Sequence, residues 1–104
     1  MAQFDVFVNP IPNARRGYPF VVTMQSDFTI NGAEQFVAPI ASIDLGHSAN
    51  QRVMPVVALQ GNNHVVVVPR LTVMRSRDLV NRVSSIAAAR SELLAAIDYL
   101  FFGV

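Results

Sequence analysis

Apolar residues recur at period two or in short unbroken runs over most of the chain, and only the last quarter shifts to a helical period. Phe4, Val6 and Val8 alternate with polar or opposite-facing positions, which predicts a first strand over 4–8. Asn9 to Gly17 is written in turn chemistry, with two prolines and an Arg15-Arg16 pair read as a solvated tip. Phe20 to Gln25 is apolar on both faces and therefore predicts a central strand, ended by Ser26-Asp27. Asn31-Gly32 signals a turn. Gln35 to Ile43 resumes as strand, with Pro39 requiring an edge position or a bulge. Two β-branched runs, Val53 to Gln60 and His64 to Met74, flank Gly61-Asn62-Asn63 and predict a hairpin with a Gly/Asn turn; Pro55 and Pro69 again mark edges or bulges. Thr72 to Asp78 is mixed. Leu79 to Ile86 is expected to lead into a helix, with Ser84 or Ser85 as its N-cap.

The helix is the most informative stretch. At about 100° per residue, Ile86, Leu93, Leu94, Ile97, Leu100, Phe101 and Val104 fall within roughly 60° of one line, an apolar stripe facing a core. Arg90 interrupts that stripe, which is expected to be open to solvent or a partner there. Phe102 lands about 140° from the line, with Ser91, Ala95 and Asp98, and has Tyr99 beside it. A helix with a buried face that still carries Phe and Tyr on the other side offers aromatic surface to something. Single exposed aromatics and fraying last turns are also ordinary, and periodicity alone leaves both readings open. Five or so short strands followed by one helix predict a mainly β protein, a strongly bent antiparallel sheet or partial barrel with a C-terminal helix across it.

Composition narrows the function classes. The 104 residues are enough for a single domain, 1–104, with one core. Apolar residues make up 52% and charged residues 14%, which excludes disorder and leaves a surface poor in charge, suited to a homodimer. A net charge of +1 gives no electrostatic footprint for nucleic acid. Every basic residue is Arg, a residue that suits interfaces. With no cysteine there is no disulfide framework, no thiolate nucleophile and no Cys-ligated metal. No signal peptide and no membrane-spanning stretch is expected, and the expected location is cytoplasmic.

Candidate chemistry is thin. His47 and His64 are the only histidines, and neither stands at ligand spacing from a carboxylate. The seven acids are scattered singly, and phosphate loops, nucleophile elbows and zinc motifs are absent. No cofactor is expected. Arg70, Arg75, Arg77 and His64 lie on or near the hairpin and could in principle cleave RNA, but an Arg-fringed strand is mostly a soluble edge. The sequence reads as a binder.

Five short motifs, each weak alone, stand in register with one family. Gln3-Phe4-Asp5-Val6 opens the chain and Met24-Gln25-Ser26-Asp27 ends the second strand. Val37-Ala38-Pro39-Ile40-Ala41, Met54-Pro55-Val56-Val57 and the terminal Phe101-Phe102-Gly103-Val104 follow. The chain resembles the CcdB toxins of bacterial toxin–antitoxin modules over nearly its whole length, with a first loop a few residues longer. The resemblance implies an SH3-like antiparallel barrel with a C-terminal helix, of the CcdB/Kid/MazF type, forming a two-fold dimer. It implies no catalysis: such toxins enter the dimer interface of the A subunit of DNA gyrase and trap the cleaved, DNA-linked state. A CcdA-like antitoxin, largely disordered before binding, neutralises them.

Carried over position by position, the gyrase-contacting residues of the family fall on Phe28, Asp98, Phe101, Phe102, Gly103 and Val104. Gly103 matches, Phe101 keeps the aromatic, and Val104 and Phe28 stay apolar. Phe102 stands where the family has Trp and loses an indole N–H, and Asp98 stands where it has Asn. Buried unpaired against a target, that charge costs affinity. Leu100 and Val104 are the first candidates for the dimer face. Three rivals stand beside this reading: an mRNA-cleaving toxin of the Kid/MazF type, a non-toxic homologue that binds only an antitoxin, and a plain dimerisation module.

Overall fold

A computed structural model of the chain describes residues 1–29, 32–43 and 52–104. Asn31 of the expected turn, Asp44 and the polar stretch 46–51 with His47 lie outside the described residues. Among those described, seven strands precede one helix: β1 Asp5–Val8, β2 Phe20–Thr23, β3 Glu34–Ser42, β4 Val56–Leu59, β5 Asn62–Val66, β6 Thr72–Arg75, β7 Arg82–Ser85 and α1 Arg90–Phe102. The strands form one antiparallel sheet in the order β4-β5-β3-β2-β1-β7, with β6 paired to β3 off this path. The sheet curls into a half-barrel. The end strands of that order, β4 and β7, line a common groove, Val57 on one wall and Ser85 on the other, with Ile86, Ala89 and Glu92 beside them.

Neighbouring residues on the inner strands are buried on opposite faces, which is why the chain is so apolar. Val6, Val22, Ala38, Ile40, Val66 and Val68 point into the main core, where Phe4, Met24, Ile86, Leu93 and Ala96 join them. Phe7, Val21 and Val37 point the other way, under Leu79 and Met74. Ala41, Val65 and Val67 do the same under Tyr18, Met54 and Val56. A central position for β2 is what its two-faced apolar run implied, and it lies between β1 and β3.

Pro39 corrects the sequence reading. It sits neither at an edge nor at a bulge, but inside β3, opposite Val21. The other side of β3 changes neighbour there: β6 pairs with Glu34–Val37, and β5 takes over from Ile40. The Pro39 carbonyl accepts the Val67 N–H at 2.9 Å, on that second side. Within a strand residue N and O point the same way, so the missing donor faces the junction between the two neighbours, where no ladder bond is lost.

The hairpin is also reset. β4 and β5 are joined by Gln60-Gly61 alone, with Leu59 opposite Asn62. Both turn residues have positive φ, 52° and 80°, the mark of a two-residue type I′ turn, so Asn62 and Asn63 belong to the strand. The run His64 to Met74 is broken by a 3-10 turn at Val68–Arg70 that contains Pro69, and only then becomes β6.

The expected lead-in to the helix is a strand. Ser84 and Ser85 lie opposite Val6 and Asp5 in the β1–β7 ladder, and Arg82 pairs with the buried Asp5 carboxylate at 3.1 Å. Tertiary pairing along the free edge of β1 outweighs the local capping signal. Ser85 Oγ still accepts the Ala87 N–H at 3.2 Å, but it caps a 3-10 turn at Ala87–Ala89, and the α-helix begins at Arg90.

Candidate functional site

The predicted stripe is buried only over its first half. Leu93 and Ala96 are fully buried in the main core, and Leu94 and Ile97 pack partly against it. From there outward the same face opens: Leu100 is 37% accessible, Phe101 60% and Val104 81%. Ala96, too small to stand out in a hydrophobic pattern, is buried on one flank of Leu93, whereas Phe101 on the other flank is exposed. Arg90 is exposed as expected, and its guanidinium donates to Gln3 Oε1 at 2.8 Å.

Phe102 is 75% accessible, and Asp98, one turn before it, is exposed. On a helical wheel Asp98, Phe102 and Ala95 span about 60° on the side opposite Leu93. The end of the helix thus exposes apolar side chains over more than half its circumference, Leu100 and Phe101 on one flank and Phe102 on the other. Gly103 ends it with φ +74°, and its N–H donates to the Tyr99 carbonyl at 2.9 Å, a left-handed cap that a side chain disfavours. That turn sends Val104 back beside Ala95, Glu92 and Arg52, which together line a cavity of about 240 Å³. The Arg52 guanidinium lies over the Tyr99 ring, 3.8 Å from its centre. Nothing in the sequence spacing connects residues 52 and 99, and this contact was not legible there.

Asp98, Phe101, Phe102, Gly103 and Val104 therefore stand together as one exposed aliphatic–aromatic end. Phe28 is fully exposed on a different element, the turn after β2. No hydrogen bond, ion pair or ring contact among the described residues joins it to the helix end. The turn that displays it is closely tied down. Gln25 Oε1 accepts the Phe36 N–H at 2.8 Å and Gln25 Nε2 donates to the Thr29 carbonyl at 3.0 Å. Asp27 Oδ1 accepts the Gln3 N–H at 2.7 Å, and Gln3 Nε2 donates to the Met24 carbonyl at 3.1 Å. Because Gln3 also receives Arg90, the amino-terminal turn braces both the Phe28 turn and the first residue of α1. The motifs Gln3-Phe4-Asp5 and Met24-Gln25-Ser26-Asp27 are thus one bonded unit.

The ribonuclease constellation does not assemble. His64 lies opposite Ser42 at one end of β3 and Arg75 opposite Glu34 at the other, eight residues or about 25 Å along the strand. His64 is buried with Nδ1 3.0 Å from the Asn62 carbonyl oxygen and its ring edge-on to Phe20, a packed histidine. Arg75 is engaged by Asp78 at 3.3 Å. Among the described residues no cluster of three His, Cys, Asp or Glu could hold a metal ion, and no helix is long and apolar enough to cross a membrane.

A comparison with protein families decides what this exposed helix end belongs to: the model of the CcdB protein matches residues 3–103. The chain belongs to the CcdB family. A search of the curated proteins found no match. The half-barrel with one C-terminal helix is the architecture expected of a CcdB protein. Membership makes this chain the toxin of a toxin–antitoxin module. Both the braced amino-terminal motifs and the exposed Phe101–Gly103 end fall inside the matched range, and Val104 just beyond it.

Proposed function

We propose that this CcdB-family toxin binds the A subunit of DNA gyrase through the end of α1 and traps the enzyme with its DNA cleaved. The observation that carries the reading is the exposure of Phe102, with Asp98 one turn before it, on a helix whose core face is already filled by Leu93 and Ala96. Phe102 is the anchor, Phe101 and Val104 widen the apolar contact, and Gly103 lets the chain turn close to the target. Phe28 is a second, separate contact supplied by the braced turn. The toxin is a binder and does not catalyse. It acts by binding the cleaved state of gyrase more tightly than the resealed one, which shifts the population toward the break.

The active form is a homodimer in the cytoplasm, with Leu100 and Val104 at its interface, and a CcdA-like antitoxin neutralises it. The two departures from the family pattern favour one further reading, a weakened toxin whose main surviving partner is that antitoxin. Phe in place of Trp removes contact area and a donor, and Asp98 brings a charge to the contact. Asp98→Asn tests whether that charge lies in the contact and weakens it. Titration against a purified fragment of the gyrase A subunit should show binding about tenfold tighter for the variant, the scale of one relieved buried charge. Equal affinity for parent and variant places Asp98 outside the contact.

A further inference from the structure

The last turn of α1 carries the proposed anchors, yet little in the core holds it. Beyond Ala96 no residue of the helix is fully buried, and Ile97 and Tyr99 are half-buried. A terminal helical turn with so few buried contacts frays readily. One side-chain contact works against this. Arg52 stacks on Tyr99 at 3.8 Å, and Tyr99 is the residue whose carbonyl receives the closing Gly103 N–H. Arg52 stands in the turn that leads into β4. Three residues later Pro55 is buried, and its carbonyl accepts the Val66 N–H of β5 at 2.9 Å. Val104 returns to line the same small cavity as Arg52 and Ala95.

We propose that Arg52 is a positioning residue for the target-binding face: stacked on Tyr99, it latches the last turn of α1 to the sheet and holds Phe101, Phe102 and Val104 in their binding arrangement. The role in binding rests on the gyrase reading above, whereas the latch does not. The guanidinium sits over the face of the phenol ring as a delocalised cation, an interaction that Lys reproduces in charge but not in shape. A last turn ordered before encounter spares the complex the cost of ordering it, so the latch acts on association more than on contact area.

Arg52→Ala, Arg52→Lys, Tyr99→Leu and the double variant test this by two readouts. In the free protein, amide hydrogen exchange over residues 100–104 should quicken about fivefold in Arg52→Ala while the urea midpoint stays put, since a terminal turn opens without global unfolding. Association with the gyrase A fragment should slow by about the same factor, Arg52→Lys should recover part of both losses, and the double variant should be no worse than either single. Unchanged exchange, or losses that add in the double variant, overturn the latch. Faster exchange with unchanged association overturns the positioning role alone. If the parent protein does not bind the fragment, the gyrase reading has failed, and the exchange readout still decides the latch.

Discussion

Phe102→Ala is expected to abolish trapping of gyrase while the protein stays folded. The ring is three-quarters accessible and lies on the side of α1 away from Leu93, so its removal opens no cavity. Its value is realised only against a partner, where a buried aromatic anchor typically carries about 2 kcal/mol or more, roughly thirtyfold or more in affinity. Circular dichroism and the urea midpoint should match the parent, and binding to the gyrase A fragment should fall by at least that factor. Phe102→Trp should move the other way, restoring an indole that adds area and a donor. Parent-like binding by Phe102→Ala removes the helix end from the site, whatever else the protein does.

Phe4→Ala is expected to have the largest effect on stability. The Phe4 ring is 1% accessible and packs into the main core with Ile86, Leu93 and Ala96. Its backbone donates to the Thr23 carbonyl at 2.7 Å and accepts from Ile86 N–H at 3.0 Å, joining β2 to the segment before the helix. Truncation leaves a cavity beneath the start of α1, a change that costs about 3–5 kcal/mol for a buried Phe. Phe4 also sits at φ +68°, a conformation unfavourable to a bulky residue, and alanine keeps that strain while losing the packing that holds it. The urea midpoint measures the loss, and a change below about 1 kcal/mol contradicts the proposed place of Phe4 in the core.

What could be seen in the sequence follows from the range over which each signal acts. Strand character in β1 to β3, the central place of β2 and the outward face of Phe102 and Asp98 are set by local period, and the structure bears them out. The sequence points one residue too far along for the turn at Gln60-Gly61 because Gly-Asn-Asn carries the turn composition, while Gln60 is an unusual residue at positive φ. Pro39 misled because a single-strand rule does not know that β3 changes neighbours beside it. Residues 79–86 read only as a lead-in to the helix because the pairing of Arg82–Ser85 with β1 is a contact across some eighty residues. The same limit hid the Arg52–Tyr99 stack and the junction of Gln3, Asp27 and Arg90. Family resemblance marked Gln3 and Asp27 without saying what they do; their bonds show that they brace the Phe28 turn and the first turn of α1.

The most direct test of the gyrase reading is a cleavage-complex assay. Gyrase, ATP and supercoiled plasmid are incubated with the toxin, quenched with detergent and digested with protease. Linear DNA is expected only when the toxin is present. The absence of linear DNA with both the parent and Phe102→Trp contradicts poisoning of the gyrase assayed.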